Sequence, residues 1–156
     1  MPTTYPTNGL TLAQAGIIID AALANGRELG LLPLTVVVLD AGGQIKAVKR
    51  EDGCSLLRFD IAQGKAFGAL SLGVGGRELA RRATAMQGFV NALSDLTAAR
   101  GAGAVPVPGG VLVTDAKGVI LGSVGISGDV SAQDEACGVA GIAAAGLMAD
   151  TGEPAA

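Results

Sequence analysis

Two short segments of this 156-residue chain gather the residue types that hold anions and move protons. The first is Arg50-Glu51-Asp52-Gly53-Cys54, with Lys65 two to three helical turns further on. A glycine loop beside a cation holds a small anion through backbone N–H groups and charge. The second runs from Gly125 to Glu135 (GISGDVSAQDE) and delivers a strand into a helix start, where N–H groups and the helix dipole also favour anions. Ser127, Asp129, Asp134 and Glu135 crowd this stretch, and crowding of carboxylates raises one pKa and makes a proton-transfer group. A third segment, Pro106 to Gly110, ends in a glycine pair that admits a ligand or another backbone closely.

The candidate catalytic residues are therefore Asp129, Glu135 and Lys65. The candidate ligand-binding residues are Arg50, Asp52, Gly53, Gly109, Gly110, Ser127, Gly128 and Asp134. The same segments also read as a solvated turn, a helix cap and a bulge. Whether Asp129 acts as acid or base stays open: a neighbouring Lys lowers its pKa, and neighbouring carboxylates raise it. Cys54 and Cys137 are read as small apolar fillers, because a catalytic thiol needs a base and the chain has no His. Two distant thiols make no metal motif, so no metal site is expected.

The elements that must position these residues follow from periodicity and punctuation. Residues 1–9, with Pro2, Pro6, Asn8 and Gly9, read as a flexible arm. Thr11 and Gln14 form a T-x-x-Q capping box for a helix whose stripe is Leu12, Ala15, Ile19, Leu23 and Leu29, ending near Gly30 and Pro33. Leu34 to Asp40, a tight turn at Ala41-Gly42-Gly43, and Gln44 to Arg50 read as a hairpin. Helices are predicted over 56–72 and 77–100, the second interrupted near Gly88, with a short strand near 105–107. Val111 to Asp115 and Val119 to Ser127 form a second hairpin, and a final helix, capped by Ser131 and Asp134, runs to about Ala149. Residues 10–150 make one domain and 151–156 a tail.

A shift of 75 positions superposes the hairpins: Val36, Val38, Asp40, Ala41, Gly43, Ile45 and Gly53 align with Val111, Val113, Asp115, Ala116, Gly118, Ile120 and Gly128. Shared turn chemistry explains this more economically than a duplication. Hairpin connections imply an antiparallel sheet flanked by helices, an α+β fold.

Composition removes several function classes. Hydrophobic residues are 49% and charged residues 16%, so the chain is not disordered. A net charge of −3 and 3% aromatics exclude a nucleic-acid binder. The longest apolar stretch, Gly138 to Ala149, is too short to span a bilayer, so no membrane partner is expected. The start carries no signal peptide, and the cytoplasm is the expected location. Low charge and 25 glycines among small-residue helices point to a homo-oligomer, a tetramer or larger.

The runs VVVLDAGGQIKAVKREDG, DIAQGKA, PGGVLV and GVILGSVGISGDVSAQDE resemble the GlcG/HbpS family, also seen as the C-terminal domain of PduO-type proteins. The resemblance covers Leu10 to about Leu147. It implies a profilin-like fold assembled into oligomers, and links to haem or corrinoid binding and to catabolic gene clusters. By position, the family's Asp-Gly turn is Asp52-Gly53, its helical lysine Lys65, its glycine pair Gly109-Gly110, its G-x-S-G segment Gly125 to Gly128, and its acidic helix start Asp134-Glu135. Asp129, Cys54 and Phe67-Gly68 depart from the family pattern.

The expected function is binding of a small organic acid or cofactor-like ligand, with a small-molecule partner and no nucleic acid. The alternative is a cofactor-free lyase, hydratase or isomerase using carboxylate acid–base chemistry, with Lys65 or Arg50 holding the anion. Haem binding or degradation ranks third. With no His to ligate iron, short of an unusual ligand such as Tyr5, Cys or Met, no cofactor is expected.

Overall fold

The computed structural model describes residues 4–154. The elements in chain order are α1 (Leu12–Glu28), β1 (Thr35–Asp40), β2 (Ile45–Arg50), α2 (Arg58–Leu72), α3 (Gly76–Ala85), α4 (Gln87–Ala98), β3 (Gly110–Thr114), β4 (Ile120–Ser127), α5 (Ser131–Ala144) and β5 (Met148–Asp150). All strand pairings are antiparallel, in the order β2-β1-β4-β3-β5. This is the expected α+β architecture, with both hairpins in one sheet.

Period-two alternation sends side chains to two helical layers. Val36, Val38, Val111, Val113, Val124 and Ile126 face α1 and α5, forming a core with Ile18, Ile19, Ala22 and Ile142. Val37 and Leu39 face α2 and meet Ala62 and Ala66. β1 is therefore buried at every position, which explains its unbroken apolar run.

The 75-residue correspondence extends to the turns. Asp40 Oδ1 accepts from the backbone N–H groups of Gly42 and Gln44, and Asp115 Oδ1 from those of Lys117 and Val119. Gly43 and Gly118 have φ of 80° and 82°. The strand register slips between Val38 and Leu39 in one hairpin and between Val113 and Thr114 in the other, again 75 apart.

The Thr11–Gln14 capping box forms, and Ala15, Ile19 and Leu23 of the predicted stripe face the core, but the two ends of the stripe do not. Leu12 and Leu29 are 67% and 50% exposed, while Ala15, Ile18, Ile19, Ala22 and Gly26 are buried. α5 lies close against this face: a Cβ on Gly141 would sit 2.4 Å from the Ile18 carbonyl oxygen and 3.2 Å from the Ala22 Cβ. The 77–100 helix is interrupted as expected, at Met86, two residues before Gly88. Three further expectations need correction. No strand forms at 105–107, where the backbone N–H of Val105 instead reaches Gly64. The final helix stops at Ala144 because Gly146 adopts φ 73°, and the chain turns back to add β5 to the sheet edge. Ser131 is inside that helix, and its N-cap, Val130, makes no side-chain capping bond.

The segments at either end of the domain are anchored. Leu10 is fully buried, its backbone N–H on Leu121, and Asn8 accepts from the Ala41 backbone. The carbonyl of Thr151 accepts from Arg77. Tyr5 is 98% exposed.

Candidate functional site

The site is built by a close crossing of α2 over β4. A Cβ on Gly125 would lie 1.8 Å from the Ala62 carbonyl oxygen, and one on Gly110 would lie 2.3 Å from that of Lys65. Bare backbone at both points lets α2 settle directly on the sheet. Ser123 fixes it further by donating to the Ala66 carbonyl. Lys65 is thereby pressed over the end of β4, only 3% exposed.

Lys65 Nζ donates to the carbonyl of Ile126 at 2.9 Å and to Asp134 Oδ2 at 3.0 Å. Asp134 is fully buried, and its Oδ1 accepts from the Asp129 backbone N–H at 3.0 Å. The Gly109 position stands against the lysine head: a Cβ there would lie 3.0 Å from Nζ. The glycine pair, expected to admit a ligand or another backbone, admits the backbone of Lys65 at Gly110 and its side-chain head at Gly109. Burial pushes the Lys65 pKa down, and the Asp134 carboxylate opposes that push without cancelling it.

Asp129 serves the backbone. Its Oδ2 accepts from the Leu32 N–H at 2.9 Å and its Oδ1 from the Val130 N–H at 2.8 Å. These bonds, that from Leu32 first, hold its carboxyl below the usual range. Ser127, fully buried, accepts at Oγ from Arg58 Nη1 at 3.2 Å. Glu135 is 6% exposed; its Oε1 accepts from Arg77 Nε at 2.7 Å, while its buried Oε2 has no hydrogen-bond partner among the described residues. The hydrogen bond to Glu135 raises the Arg77 pKa.

Arg50, Asp52 and Gly53 belong to an adjoining groove. Arg50 and Asp52 line a cavity of about 670 Å³ with Leu23, Arg27, Pro33, Lys49 and Glu51. Pro33 is the hinge between groove and buried cluster. Gly53, at φ 84°, approaches its ring, and Gly128 packs on its carbonyl, where a Cβ would come within 2.3 Å. Arg27 pairs with Glu51 and Lys49 with Asp20 on the surface, whereas the guanidinium of Arg50 donates to the Cys54 carbonyl at 3.1 Å.

The structure thus brings Lys65, Asp134, Gly109 and Gly110 together directly, holds Ser127 at the adjoining end of β4 on Arg58 and Glu135 on Arg77, places Asp129 one hydrogen bond away, and sets Arg50, Asp52 and Gly53 in the neighbouring groove. Sequence reasoning missed Arg58 and Arg77 as members, and included Glu51 only as part of the Arg50–Cys54 segment. Arg58 had a signal, since it lies seven residues before Lys65 and so on the same helical face. Arg77 lies on a separate helix with no spacing relation to Glu135.

No curated protein matches the chain. Among solved structures, a PduOC:heme complex is 25% identical, covering 89% of this chain and 96% of that one, with a TM-score of 0.75. HbpS is 29% identical, covering 90% and 92%, with a TM-score of 0.72. The Klebsiella pneumoniae protein ORFY, 24% identical with a TM-score of 0.75 over 94% and 97%, shares the fold. The first likeness corrects the expectation that no cofactor is involved. Absence of His excludes imidazole as an iron ligand, but a haem also offers a broad apolar ring and carboxylates, which other residues bind. A family model described as haem degrading protein HbpS-like matches residues 10–143, and the chain belongs to that family.

Proposed function

We propose that this protein binds haem or a closely related carboxylated macrocycle, as a homo-oligomer in the cytoplasm. The observation that carries this reading is the 25% identity over 89% of the chain to a domain solved as a heme complex. The residues present fit the carboxylates of such a group. The groove of about 670 Å³ offers Arg50, which forms no ion pair among the described residues, and beside it Arg27 and Lys49, which would exchange Glu51 and Asp20 for the ligand's carboxylates, with Leu23 and Pro33 as apolar contacts. Guanidinium groups suit carboxylates through paired N–H donors. The cysteines are buried, and Lys65 is occupied by Asp134. When bound, haem supplies iron redox chemistry; the chain supplies carboxylate binding and no imidazole.

Haemin titrated into the purified protein should give a saturable Soret change without a low-spin bis-imidazole spectrum. Arg50→Glu should weaken it about tenfold or more, the scale of one charge-assisted bond. Equal binding by wild type and Arg50→Glu, or no saturable binding by folded wild type, would overturn the reading.

The unpartnered, buried Glu135 Oε2 favours a second reading: an acid–base lyase or isomerase in which Glu135 exchanges a proton with a bound organic acid. In that reading Arg77 orients the carboxylate through Oε1, leaving Oε2 for the substrate. Screening small hydroxy- and keto-acids for proton exchange by NMR tests it; exchange that survives Glu135→Gln would eliminate it.

A further inference from the structure

A second cleft lies at the opposite end of the sheet from Lys65 and Arg50. The antiparallel register sets Thr35 beside Ser127 at the Lys65 end and Asp40 beside Gly122 at the other. There the β1–β2 turn, α2 and α4 enclose a cavity of about 400 Å³, walled by Phe67, Leu70, Leu93 and Leu96 and edged by Arg100. A polar hollow of about 300 Å³ adjoins it, shares Phe67 and Arg100, and adds Gln44 and Gln63. Arg100 forms no ion pair among the described residues.

We propose that this cleft binds a medium-chain monocarboxylate, with its hydrocarbon tail between α2 and α4 and its carboxylate on Arg100. The wall is aliphatic and aromatic, which suits an extended apolar tail. Taking the ~30 Å³ share of one water as that of one heavy atom, an eight-carbon acid needs roughly 300 Å³, within the apolar cavity. The charge at the mouth selects an anion. No Asp or Glu lines either cavity among the described residues. Of the acids on the flanking elements, Asp40 has its Oδ1 occupied by the N–H groups of Gly42 and Gln44, and Asp95 of α4 forms no ion pair with Arg100. Last-turn carbonyls of both helices are also occupied: Ala69 and Leu70 accept from Val74 and Gly73, and Thr97 and Ala98 from Arg100 and Gly101. Arg100 is thus the cleft's cation, and its guanidinium can meet a carboxylate with paired donors.

Calorimetric titration with sodium octanoate tests the proposal, with the site located by methyl NMR shifts at Leu70, Leu93 and Leu96. Saturable binding is expected, about tenfold weaker in Arg100→Gln. It should be lost in Leu96→Glu, which puts a like charge at the mouth on a side chain that is 64% exposed and tolerant of replacement. Haemin binding at the Arg50 groove should be unchanged in both variants, so the two sites fail or stand separately. No saturable octanoate binding, binding unaffected by both substitutions, or shifts confined to the Arg50 end would overturn the proposal. So would a wild type that does not bind octanoate and whose mass by light scattering falls in Leu96→Glu, because the cleft would then be covered by a second copy.

Discussion

Lys65 and Asp134 form an ion pair of 3.0 Å in which both side chains are withdrawn from water, at 3% and 0% exposure. The same carboxylate also receives the Asp129 backbone N–H, so one buried group ties α2, the end of β4 and the start of α5 together. Such a pair is weak evidence for net stability, yet removing one member strands the other charge in a low-dielectric site.

Asp134→Ala is therefore expected to cost about 3–5 kcal/mol in urea unfolding, because it strands the Lys65 ammonium. Lys65→Met in the same background should recover part of that loss, with the Asp129 N–H still lacking its acceptor. Additive losses in the double-mutant cycle would show that the two groups do not interact.

The glycines predict opposite responses to one methyl group. Gly125→Ala drives a Cβ into the Ala62 carbonyl and forces α2 off the sheet, which should cost roughly 3 kcal/mol or more. Gly16 and Gly88 are helical with open space where a Cβ would go. Alanine there should stabilise by about 0.5–1 kcal/mol. Thermal melts of the three variants check the order, and a neutral Gly125→Ala would contradict the close crossing.

Much of this arrangement was legible because both hairpins carry their own instructions. β-branched runs, an Asp at each strand end and a Gly two or three residues later specify strand, turn and register locally. The Lys65 and Asp134 positions were marked by residue type, but not their mutual burial, which depends on α2 meeting β4 at Gly125. β5 was hidden because Leu147 to Ala149 continues the Ala-rich composition of α5, and only the backbone sign of Gly146 separates them. The ends of the α1 stripe, Leu12 and Leu29, were misplaced because leucine outranks alanine in a hydrophobic pattern, whereas the crossing with α5 also takes Ala22 and Gly26. The apolar cleft drew on α4, whose Leu93 and Leu96 read equally well as part of one longer helix.

Cys137 makes stability depend on alkaline pH. Burial pushes its thiol from 9.0 to about 11. Between those values the unfolded chain has released a proton that the folded chain retains, so this group's contribution falls as pH rises from about 9 to 11. Cys137→Ala should flatten that slope despite lowering stability at neutral pH, and native protein should react slowly with a thiol reagent. An unchanged slope would show that the thiol titrates normally.

Asp129 gives the opposite pH signature. Its folded pKa lies below the ordinary value of 3.8, chiefly because the Leu32 N–H stabilises the carboxylate. The folded form therefore loses its proton first as pH rises, and the stability it contributes is complete above the unfolded pKa. That contribution disappears as pH falls through the folded value. Asp129→Asn keeps an acceptor oxygen but removes the charge and cannot accept both the Leu32 and Val130 bonds at two oxygens. The variant should accordingly be less stable than wild type at pH 7, and the gap should close as both are titrated to pH 3 and below. A gap that is constant across this range would assign the loss to packing rather than to the ionised carboxylate. Slowed exchange of the Leu32 amide in wild type, lost in the variant, should report the same bond independently of global unfolding.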